Sequence, residues 1–199
     1  MFISFEGIDG SGKSTQCRRL AETLRQRGAV VTLTREPGGS EGAEQIRKLL
    51  VEGGGERWSP ETELLLFMAA RRDHVERLIE PALARGETVI SDRFADSSRV
   101  YQGLVRAENR KLVEELHRLV IGIEPDLTFV IDTDPSTARA RGEARGGNED
   151  RFESLGLAFQ QDLRAGFLAL AREFPQRIRV IDGGGTQDDV AARVLAALP

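Results

Sequence analysis

Short runs of apolar residues recur along the chain, without a regular alternation of polar positions inside them. They span Phe2–Phe5, Val30–Thr34, Thr88–Ser91, Leu127–Ile131 and Ile178–Ile181. Apolar runs of four to six residues are typical of strands that are covered on both faces of a sheet. We therefore predict five buried β-strands.

Longer segments with helical spacing lie between these runs. Apolar residues recur three or four positions apart after the first two strands, from Glu61 to about Arg85, and around Leu112, Phe159 and Val190. Strands that alternate with helices form βαβ units and a mainly parallel sheet. The pattern predicts an α/β fold, a five-stranded parallel sheet with helices on both faces. We find neither an internal repeat nor a linker, so we expect a single domain over residues 1–199.

The composition argues against several classes of protein. Hydrophobic residues make up 40% of the chain and charged residues 30%, which is ordinary for a globular protein. No apolar run approaches the roughly 20 residues that cross a bilayer, so we expect no membrane association. The net charge of −4, without a basic tail, argues against binding to a nucleic-acid polymer. The single cysteine, Cys17, and the lack of an export signal predict a cytoplasmic location.

A glycine-rich motif follows the first predicted strand. The stretch GIDGSGKS at 7–14 fits the phosphate-loop pattern G-x-x-x-x-G-K-[ST], with a strand before it and a helix after it. Backbone N–H groups and the helix N-terminus hold phosphate in such a loop. Lys13 would bridge the β- and γ-phosphates, and the Ser14 hydroxyl would bind Mg²⁺. The residues predicted to hold the nucleotide are Gly7, Ile8, Asp9, Gly10, Ser11, Gly12, Lys13, Ser14 and Thr15.

The phosphate loop alone does not define a function. Regulatory GTPases carry an N-K-x-D guanine reader and transport ATPases an L-S-G-G-Q type motif, and the sequence contains neither. A chain of this length without an extra domain fits the small phosphotransferases better.

Residues after the third predicted strand indicate a site for a phosphate acceptor. In the stretch SDRFADSSRVYQG (91–103), Asp92 can hold Mg²⁺ or its water, and Arg93 can grip a phosphate with its forked guanidinium. Parallel sheets bind ligands beyond the carboxyl ends of their strands, so this stretch should lie beside the phosphate loop. On the long helix, Phe67 and Arg71 share one face, where they could stack on a base and hydrogen-bond its edge.

The most charge-dense segment is RARGEARGGNEDRFE, residues 139–153. The segment combines arginines with glycines that permit hinging. Phosphoryl transfer needs positioning, exclusion of water and positive charge on the transferred group. We predict that this segment is a mobile lid that supplies the charge.

Taken together, these motifs resemble the thymidylate kinase family. The resemblance runs along nearly the whole chain, through FEGIDGSGKST, TREPGG, LLFMAAR, DRFADSSRVYQG and DRFE in that order. It implies a P-loop nucleoside-monophosphate kinase fold and transfer of the γ-phosphoryl group of ATP to dTMP with Mg²⁺, a step of dTTP biosynthesis. It also implies a homodimer packed through helices, which the apolar residues spread over 61–85 and 108–121 support.

The resemblance implies a role for each matching residue at the base and sugar. Phe67 would stack on thymine and Arg71 would bond its edge, while Ser98 and Gln102 would help to read the base. Tyr101 would pack where a ribose 2′-hydroxyl would sit, which favours deoxyribose.

The resemblance also implies how the acceptor phosphate and the metal are held. Arg93 would hold the phosphate of dTMP, Glu36 would orient Arg93, and Arg47 would sit at the rim of the pocket. Asp9 would hold the sugar directly and Mg²⁺ through water. The implied metal site consists of Ser14, Asp92 and Asp9.

The family carries its catalytic arginine either in the phosphate loop, right after the acid, or in the lid. Here the loop position is Gly10, so the chain resembles the lid type. Arg145 and Arg151 are the best candidates and Arg141 is the next. Residues 146–149 look like an insertion, which leaves the register of Arg141 and Arg145 open. The implied catalytic residues are Asp9, Lys13, Arg93, Arg145 and Arg151.

Two alternatives remain open on the sequence alone. One is a small kinase that acts on another nucleoside monophosphate or on a deoxynucleoside. The other is a nucleotide-dependent switch or binding protein without catalysis, although a switch needs neither an arginine-rich lid nor an acceptor pocket. Arg99 stands where the family commonly has a small residue, and the sequence indicates no role for it.

Overall fold

The strands form one parallel sheet. A computed structural model describes residues 1–52, 57–104, 109–145 and 156–199, with the backbone alone at 104 and 143–145. The strand order is β2-β3-β1-β4-β5, and each neighbouring pair is parallel, as predicted. The strands are β1 Phe2–Glu6, β2 Val31–Arg35, β3 Thr88–Asp92, β4 Leu127–Asp132 and β5 Ile178–Asp182.

Each strand extends one residue beyond its apolar run, and that residue is charged. Arg35 pairs with Asp92 across β2 and β3, and Asp132 pairs with Asp182 across β4 and β5. Glu6 ends β1 in the same way. The apolar pattern marks the covered part of the sheet, and the charged residues mark its carboxyl edge.

The helices connect the strands. They are α1 Lys13–Gln26, α2 Glu41–Val51, α3 Pro60–His74, α4 Glu80–Ala84, α5 Ala95–Ser98, α6 Arg110–Leu116, α7 Pro135–Arg145, α8 Gly156–Glu173 and α9 Gln187–Ala196. A π-helical turn, Val75–Ile79, joins α3 to α4 and accommodates Pro81, which has no N–H to donate. The long helical pattern predicted from Glu61 is therefore one nearly continuous rod. Within the described ranges, no helix is apolar over a length that would cross a bilayer.

Helices cover both faces of the sheet. On one face, Ile3 and Phe5 pack with α1 and α9 in a core that includes Leu20 and Val190. On the other face, Phe2 packs with residues of α3, the following π-helical turn and α6, and Val130 packs with α7 and α8. The predicted α/β architecture is confirmed.

Two helices were not predicted. A helix runs from Ala95 through a second π-helical turn, Arg99–Leu104, in the stretch predicted to form the acceptor site. The first part of the predicted lid, through Arg145, is the helix α7. The sequence pattern indicated no helix there, because α7 lacks an apolar stripe and only its cap indicates it. The Asp134 carboxylate accepts from the N–H groups of Ser136 at 2.9 Å and of the next residue at 3.2 Å.

A buried ionic cluster anchors α5 and gives Arg99 a structural role. Asp96 accepts two hydrogen bonds from Arg177, at 2.6 and 2.8 Å, and one from Arg99 at 2.9 Å. Arg99 also donates to Glu114 at 3.2 Å and to Glu124 at 3.1 Å. Because all of the carboxylates are matched by guanidinium groups, the cluster fixes the position of α5 against the sheet.

Candidate active site

A cleft of about 280 Å³ opens at the carboxyl ends of β1, β2 and β3. It brings together the loop after each of these strands with α2 and α3. Most of the acceptor and metal residues predicted from the sequence line it. The predicted residues in its wall are Asp9, Lys13, Ser14, Glu36, Arg47, Phe67, Arg71, Asp92, Arg93, Ser98, Tyr101 and Gln102.

The phosphate loop lies between β1 and α1, as predicted. Gly12 precedes α1 in the left-handed conformation, with φ of 96° and no side-chain cap. The first turn of α1 contains no acidic residue. A helix N-terminus without a carboxylate of its own is a favourable place for an anion. The Oγ atom of Ser11 is also buried in the loop without a hydrogen-bond partner in the described chain.

Lys13 lies beside the acid of the loop. Its Nζ donates to the carbonyl oxygen of Ile8 at 3.2 Å and to Asp9 Oδ1 at 3.4 Å. Asp9 also accepts from Arg93 Nη2 at 2.6 Å. Although burial opposes its ionisation, Arg93 and Lys13 hold the pKa of Asp9 well below its usual range. Asp9 is therefore a fixed anion between the two cations.

Asp92 presents an oxygen that fits a magnesium site. Its Oδ1 is buried and has no hydrogen-bond partner among the described residues. The hydroxyl-bearing side chain of Ser14 and the carboxylate of Asp9 line the same cleft. Carboxylate and hydroxyl oxygens are hard donors, which Mg²⁺ prefers. The three predicted metal residues therefore have the chemistry to hold this ion.

Arg93 has an unusual backbone conformation. Its φ is 73°, and it is the one non-glycine residue with a positive φ in the described part of the chain. Its Nη1 donates to Ser97 Oγ at 2.9 Å, and its Nη2 donates to the hydroxyl of Tyr101 at 3.2 Å as well as to Asp9. Burial opposes its charge, but Tyr101 and Asp9 raise its pKa further above the ordinary arginine value. Arg93 thus presents to the cleft a permanently charged guanidinium whose position is fixed by hydrogen bonds.

The prediction that Glu36 orients Arg93 was wrong. Glu36 Oε2 instead accepts from Arg71 Nε at 2.7 Å, and its Oε1 lies 3.1 Å from His74 Nδ1. Glu36 follows β2 and Asp9 follows β1, and both strands are neighbours of β3, so the topology alone allowed either pairing. The left-handed backbone of Arg93 accompanies its pairing with Asp9.

Glu36 therefore belongs to the opposite wall of the cleft. Burial opposes the ionisation of Glu36. The positive charge of Arg71 and the hydrogen bond with His74 nevertheless hold the pKa of Glu36 below its usual range. His74 also lies 2.7 Å from the hydroxyl of Thr34 through Nε2. This chain of contacts ties α3 to the end of β2.

Arg71 is held by several elements at once. Its Nη2 donates to the carbonyl oxygen of Phe94 and to Ser98 Oγ, both at 3.1 Å. Its guanidinium carbon lies 5.3 Å from the ring centre of Phe94. Phe67, one turn earlier on α3, is partly exposed and lines the cleft, whereas Met68 packs into the core. A flat aromatic side chain and a fixed guanidinium thus share this end of the cleft.

Gln102 has a partner that fixes the orientation of its amide. Its Nε2 donates to Oε1 of the buried Glu63 at 3.1 Å. Because the carboxylate takes the amide N–H, the amide oxygen of Gln102 is left as the acceptor. Arg47, at the other side, donates to the carbonyl oxygen of Pro37 at 2.7 Å and forms the rim that the sequence predicted.

The lid residues are described only in part. Arg145 ends α7 and only its backbone is described, while Arg151 lies outside the described residues. Arg141 lies one turn earlier on α7 and donates to the carbonyl oxygen of Gly183 at 3.2 Å. The loop after β5 therefore contacts the root of the predicted lid.

Two side chains at the site were missed by the sequence analysis. Glu6 is fully buried, and Ser97 links it to Arg93. Burial raises the pKa of Glu6 to about 7, and the charge of Asp96 adds to the rise while Arg93 opposes it. A glutamate that ends an otherwise apolar strand was the signal that could have indicated this group.

Comparison with known proteins agrees with this geometry. The profile described as thymidylate kinase matches residues 5–194. The chain belongs to the thymidylate kinase family. A thymidylate kinase of Dinoroseobacter shibae is 68% identical over 196 residues, covering 98% of this chain and 95% of the relative. One of Ruegeria pomeroyi is 63% identical over 194 residues, covering 98% and 92%.

A solved structure gives the same result for the fold. The crystal structure of a thymidylate kinase from Ehrlichia chaffeensis superposes with a TM-score of 0.80 at 37% identity, covering 100% of this chain and 98% of that one. The family, the kinase class and the P-loop kinase fold predicted from the sequence are confirmed.

Proposed function

We propose that this cleft binds ATP and dTMP side by side and transfers the γ-phosphoryl group of ATP to dTMP, giving dTDP and ADP. The reaction is that of the thymidylate kinase family, to which the chain belongs. One observation carries the assignment of the site: the phosphate loop opens into the same cleft as Arg93 and the Phe67–Arg71 face. A donor site and an acceptor site therefore meet at Asp9.

On the donor side, the phosphate loop holds the triphosphate. The N–H groups at the start of α1 and the positive helix end bind the phosphate oxygens. Lys13 bridges the β- and γ-phosphates. Its contact with Asp9 is then replaced by contacts with the more highly charged phosphates. Ser14, Asp92 and Asp9 would hold Mg²⁺, which would supply positive charge beside the phosphates.

On the acceptor side, Arg93 grips the phosphate of dTMP with its forked guanidinium. Asp9 keeps Arg93 in place and faces the sugar 3′-hydroxyl. Phe67 stacks on thymine and Arg71, held by Glu36, donates to its edge. Ser98 and the amide oxygen of Gln102 complete the reading of the base, and Tyr101 closes the space beside the sugar. This arrangement puts the acceptor oxygen next to the donor phosphate, and positioning is the main task in phosphoryl transfer.

An assay of ADP release with different monophosphates tests this function. We expect dTMP to give the highest kcat/KM, with dUMP lower by roughly 10-fold or more, because one methyl group in an apolar pocket is worth about 10–200-fold. Release from dCMP and dGMP should be lower still. Equal turnover with all four would contradict the substrate, and no stimulation by any monophosphate would favour a nucleotide switch.

A lid arginine supplies positive charge to the transferred group in this proposal. Changing Arg151 to alanine is expected to lower kcat by roughly 10²-fold or more with the KM for dTMP near normal, as for a contact made in the transition state. Arg145→Ala, measured beside it, decides which of the two dominates. Arg172→Ala, an exposed arginine on the last turn of α8, is the matched control. An unchanged kcat in both lid variants would contradict the assignment to Arg145 and Arg151 and leave Arg141 as the lid candidate.

The assembly and the location are also proposals. Leu65 on α3 is 53% exposed, and Leu119 on the π-helical turn His117–Ile121 is 68% exposed. The two helices are linked by Arg72, which donates to the carbonyl oxygen of Val120 at 3.1 Å. Such an apolar face supports a homodimer packed through these helices. The cytoplasmic location rests on the single cysteine and stays a prediction.

A further inference from the structure

The loop that carries Arg93 is bonded to β1 through one carboxylate. Oε1 of Glu6 accepts from the backbone N–H of Phe94 at 2.8 Å and from that of Ser97 at 3.2 Å. Oε2 of Glu6 accepts from the hydroxyl of Ser97 at 2.6 Å. The carboxylate thus closes the first turn of α5 from another strand of the sheet.

This connection reaches the guanidinium itself. Ser97 Oγ donates to Glu6 and accepts from Arg93 Nη1 at 2.9 Å. Arg93 therefore stands between two carboxyl groups: Asp9 contacts Nη2 directly, and Glu6 acts on Nη1 through one hydroxyl. Ser97 is oriented by both neighbours, because its single proton goes to the carboxylate and its oxygen faces the cation.

The backbone at Arg93 needs such a restraint. A residue with a side chain is disfavoured at a φ of 73°, and it keeps this conformation only where surrounding contacts determine it. The residue after Arg93 is bonded to Glu6 through its N–H, so the carboxylate fixes the peptide that follows the strained residue. The N–H of Arg93 bonds to the carbonyl oxygen of Phe5 at 2.9 Å, which fixes the peptide before it.

Burying a carboxylate at this place costs free energy of folding, because the charged form loses its hydration. This cost favours a role for the group in the site. Glu6 is fully buried, and burial together with Asp96 raises its pKa to about 7. Of the other titratable groups that face Glu6, Arg93 is charged, whereas burial raises the pKa of the Tyr101 hydroxyl and of the Cys17 thiol and keeps both neutral. Phe2, Ser4 and Glu6 lie on one face of β1, and an apolar side chain at the last of these positions would pack without desolvating a charge.

From these contacts we infer that Glu6 is a positioning residue for phosphoryl transfer, which holds Arg93 at the acceptor phosphate through the N–H groups of Phe94 and Ser97 and the hydroxyl of Ser97. The inference rests on the proposed function of Arg93. Glu6 itself touches no substrate in this scheme. Its effect is confined to the acceptor half of the cleft, because its hydrogen bonds among the described residues go to Phe94 and Ser97 and not to the phosphate loop.

The test compares the two substrates in Glu6→Gln, which keeps the size of the side chain and removes its charge. Above the pKa of about 7, where Glu6 is ionised, we expect the KM for dTMP to rise about 10-fold with the KM for ATP within about twofold of the wild type, since hydrogen bonds to a charged group are lost. Calorimetric titration with dTMP alone should show a matching loss of affinity. Asp126→Asn is the control, because Asp126 bonds the backbone N–H of Phe2 at the other end of β1.

A purely structural role gives a different result. In that case Glu6→Gln lowers the melting temperature, as Asp126→Asn does, but leaves the ratio of the two KM values and the affinity for dTMP unchanged, and the inference is overturned. If Glu6→Gln does not fold, Ser97→Ala and Ser97→Thr decide the question. We expect the alanine variant to raise the KM for dTMP about threefold or more and the threonine variant, which keeps the hydroxyl, to restore it.

The wild-type enzyme separates this inference from the proposed function. Its turnover with dTMP is measured first. Absence of that turnover refutes the proposed function, whereas normal turnover with unchanged values in the Glu6 and Ser97 variants refutes only the role of Glu6.

Discussion

Replacement of Arg93 by alanine is expected to lower kcat/KM for dTMP by roughly 10²–10⁴-fold. The guanidinium provides two hydrogen bonds to the acceptor phosphate in the proposed complex, and each bond to a charged group is worth about 1.5–3 kcal/mol. Every 1.4 kcal/mol corresponds to about tenfold. Steady-state kinetics with each substrate varied in turn measure the effect, and the KM for ATP should change far less.

Two further variants make this result specific. Arg93→Lys keeps the charge but not the fork, so its kcat/KM should lie between those of the wild type and the alanine variant. Arg85→Ala removes an exposed arginine that bonds Glu87 before β3, at the far end of the same strand, and should leave the kinetics unchanged. A loss smaller than tenfold in Arg93→Ala would show that another group holds the phosphate.

Gly10→Ala is expected to disable the enzyme as well, for a steric reason. A Cβ atom at Gly10 would lie 2.0 Å from the carbonyl oxygen of Ala138 on α7. Backbone cannot give way locally, so either the phosphate loop or α7 must move. A displacement of about 1 Å at a catalytic site can cost 10²-fold in rate, and we expect at least that loss in kcat/KM.

Gly28→Ala is the matched control for the backbone conformation. Gly28 has a φ of 87°, close to the 79° of Gly10, but nothing lies within 4 Å of its added Cβ. The left-handed conformation alone costs roughly 1–2 kcal/mol, so Gly28→Ala should lower the free energy of unfolding by that amount and leave kcat/KM intact. Gly10→Ala should lower it further in urea titrations. Equal losses of stability, with full activity, would contradict the contact with α7.

The same contact is consistent with the lid type that the resemblance implies for this chain. Members of the other type carry an arginine at the position of Gly10, according to the resemblance described above. In this chain that side chain would collide with the first turns of α7. We therefore expect that Gly10→Arg does not restore the activity of a variant that lacks its lid arginine.

The strands could be predicted because covered strands need unbroken apolar runs. The predicted run Val30–Thr34 lies one residue too early for β2. Val30 is 67% exposed and precedes the strand, whereas Arg35 pairs with Asp92 at its end. The helix α7 lacks the apolar stripe on which the prediction relied, and Ala138 is a buried residue on it. Helix α5 is closed by Glu6, which lies 88 residues from Phe94, and no local pattern contains that contact.

Most members of the site could be predicted from the sequence, but the hydrogen-bonded pairs that they form could not. The phosphate loop and the residues after β3 were located by motif and by the rule that parallel strands present ligands at their carboxyl ends. The partner of Arg93 could not be deduced, since carboxylates from both neighbouring strands were within reach. Glu63 orients Gln102, and His74 orients Glu36, through buried hydrogen bonds. Each bond joins residues far apart in the chain, so no motif or spacing in the sequence indicates it.

The ionic cluster around Arg99 constrains how this chain can diverge from its relatives. A small residue at this position, which the resemblance gives as common in the family, would remove the cation that Glu114 and Glu124 share. Glu114 would keep Arg110, Glu124 would keep His117, and Asp96 would keep Arg177. Charges within one network have coupled, non-additive effects. Substitutions at 99, 114 and 124 should therefore covary across lineages, and a chimera that imports α5 from a relative should fold well only with its acidic partners.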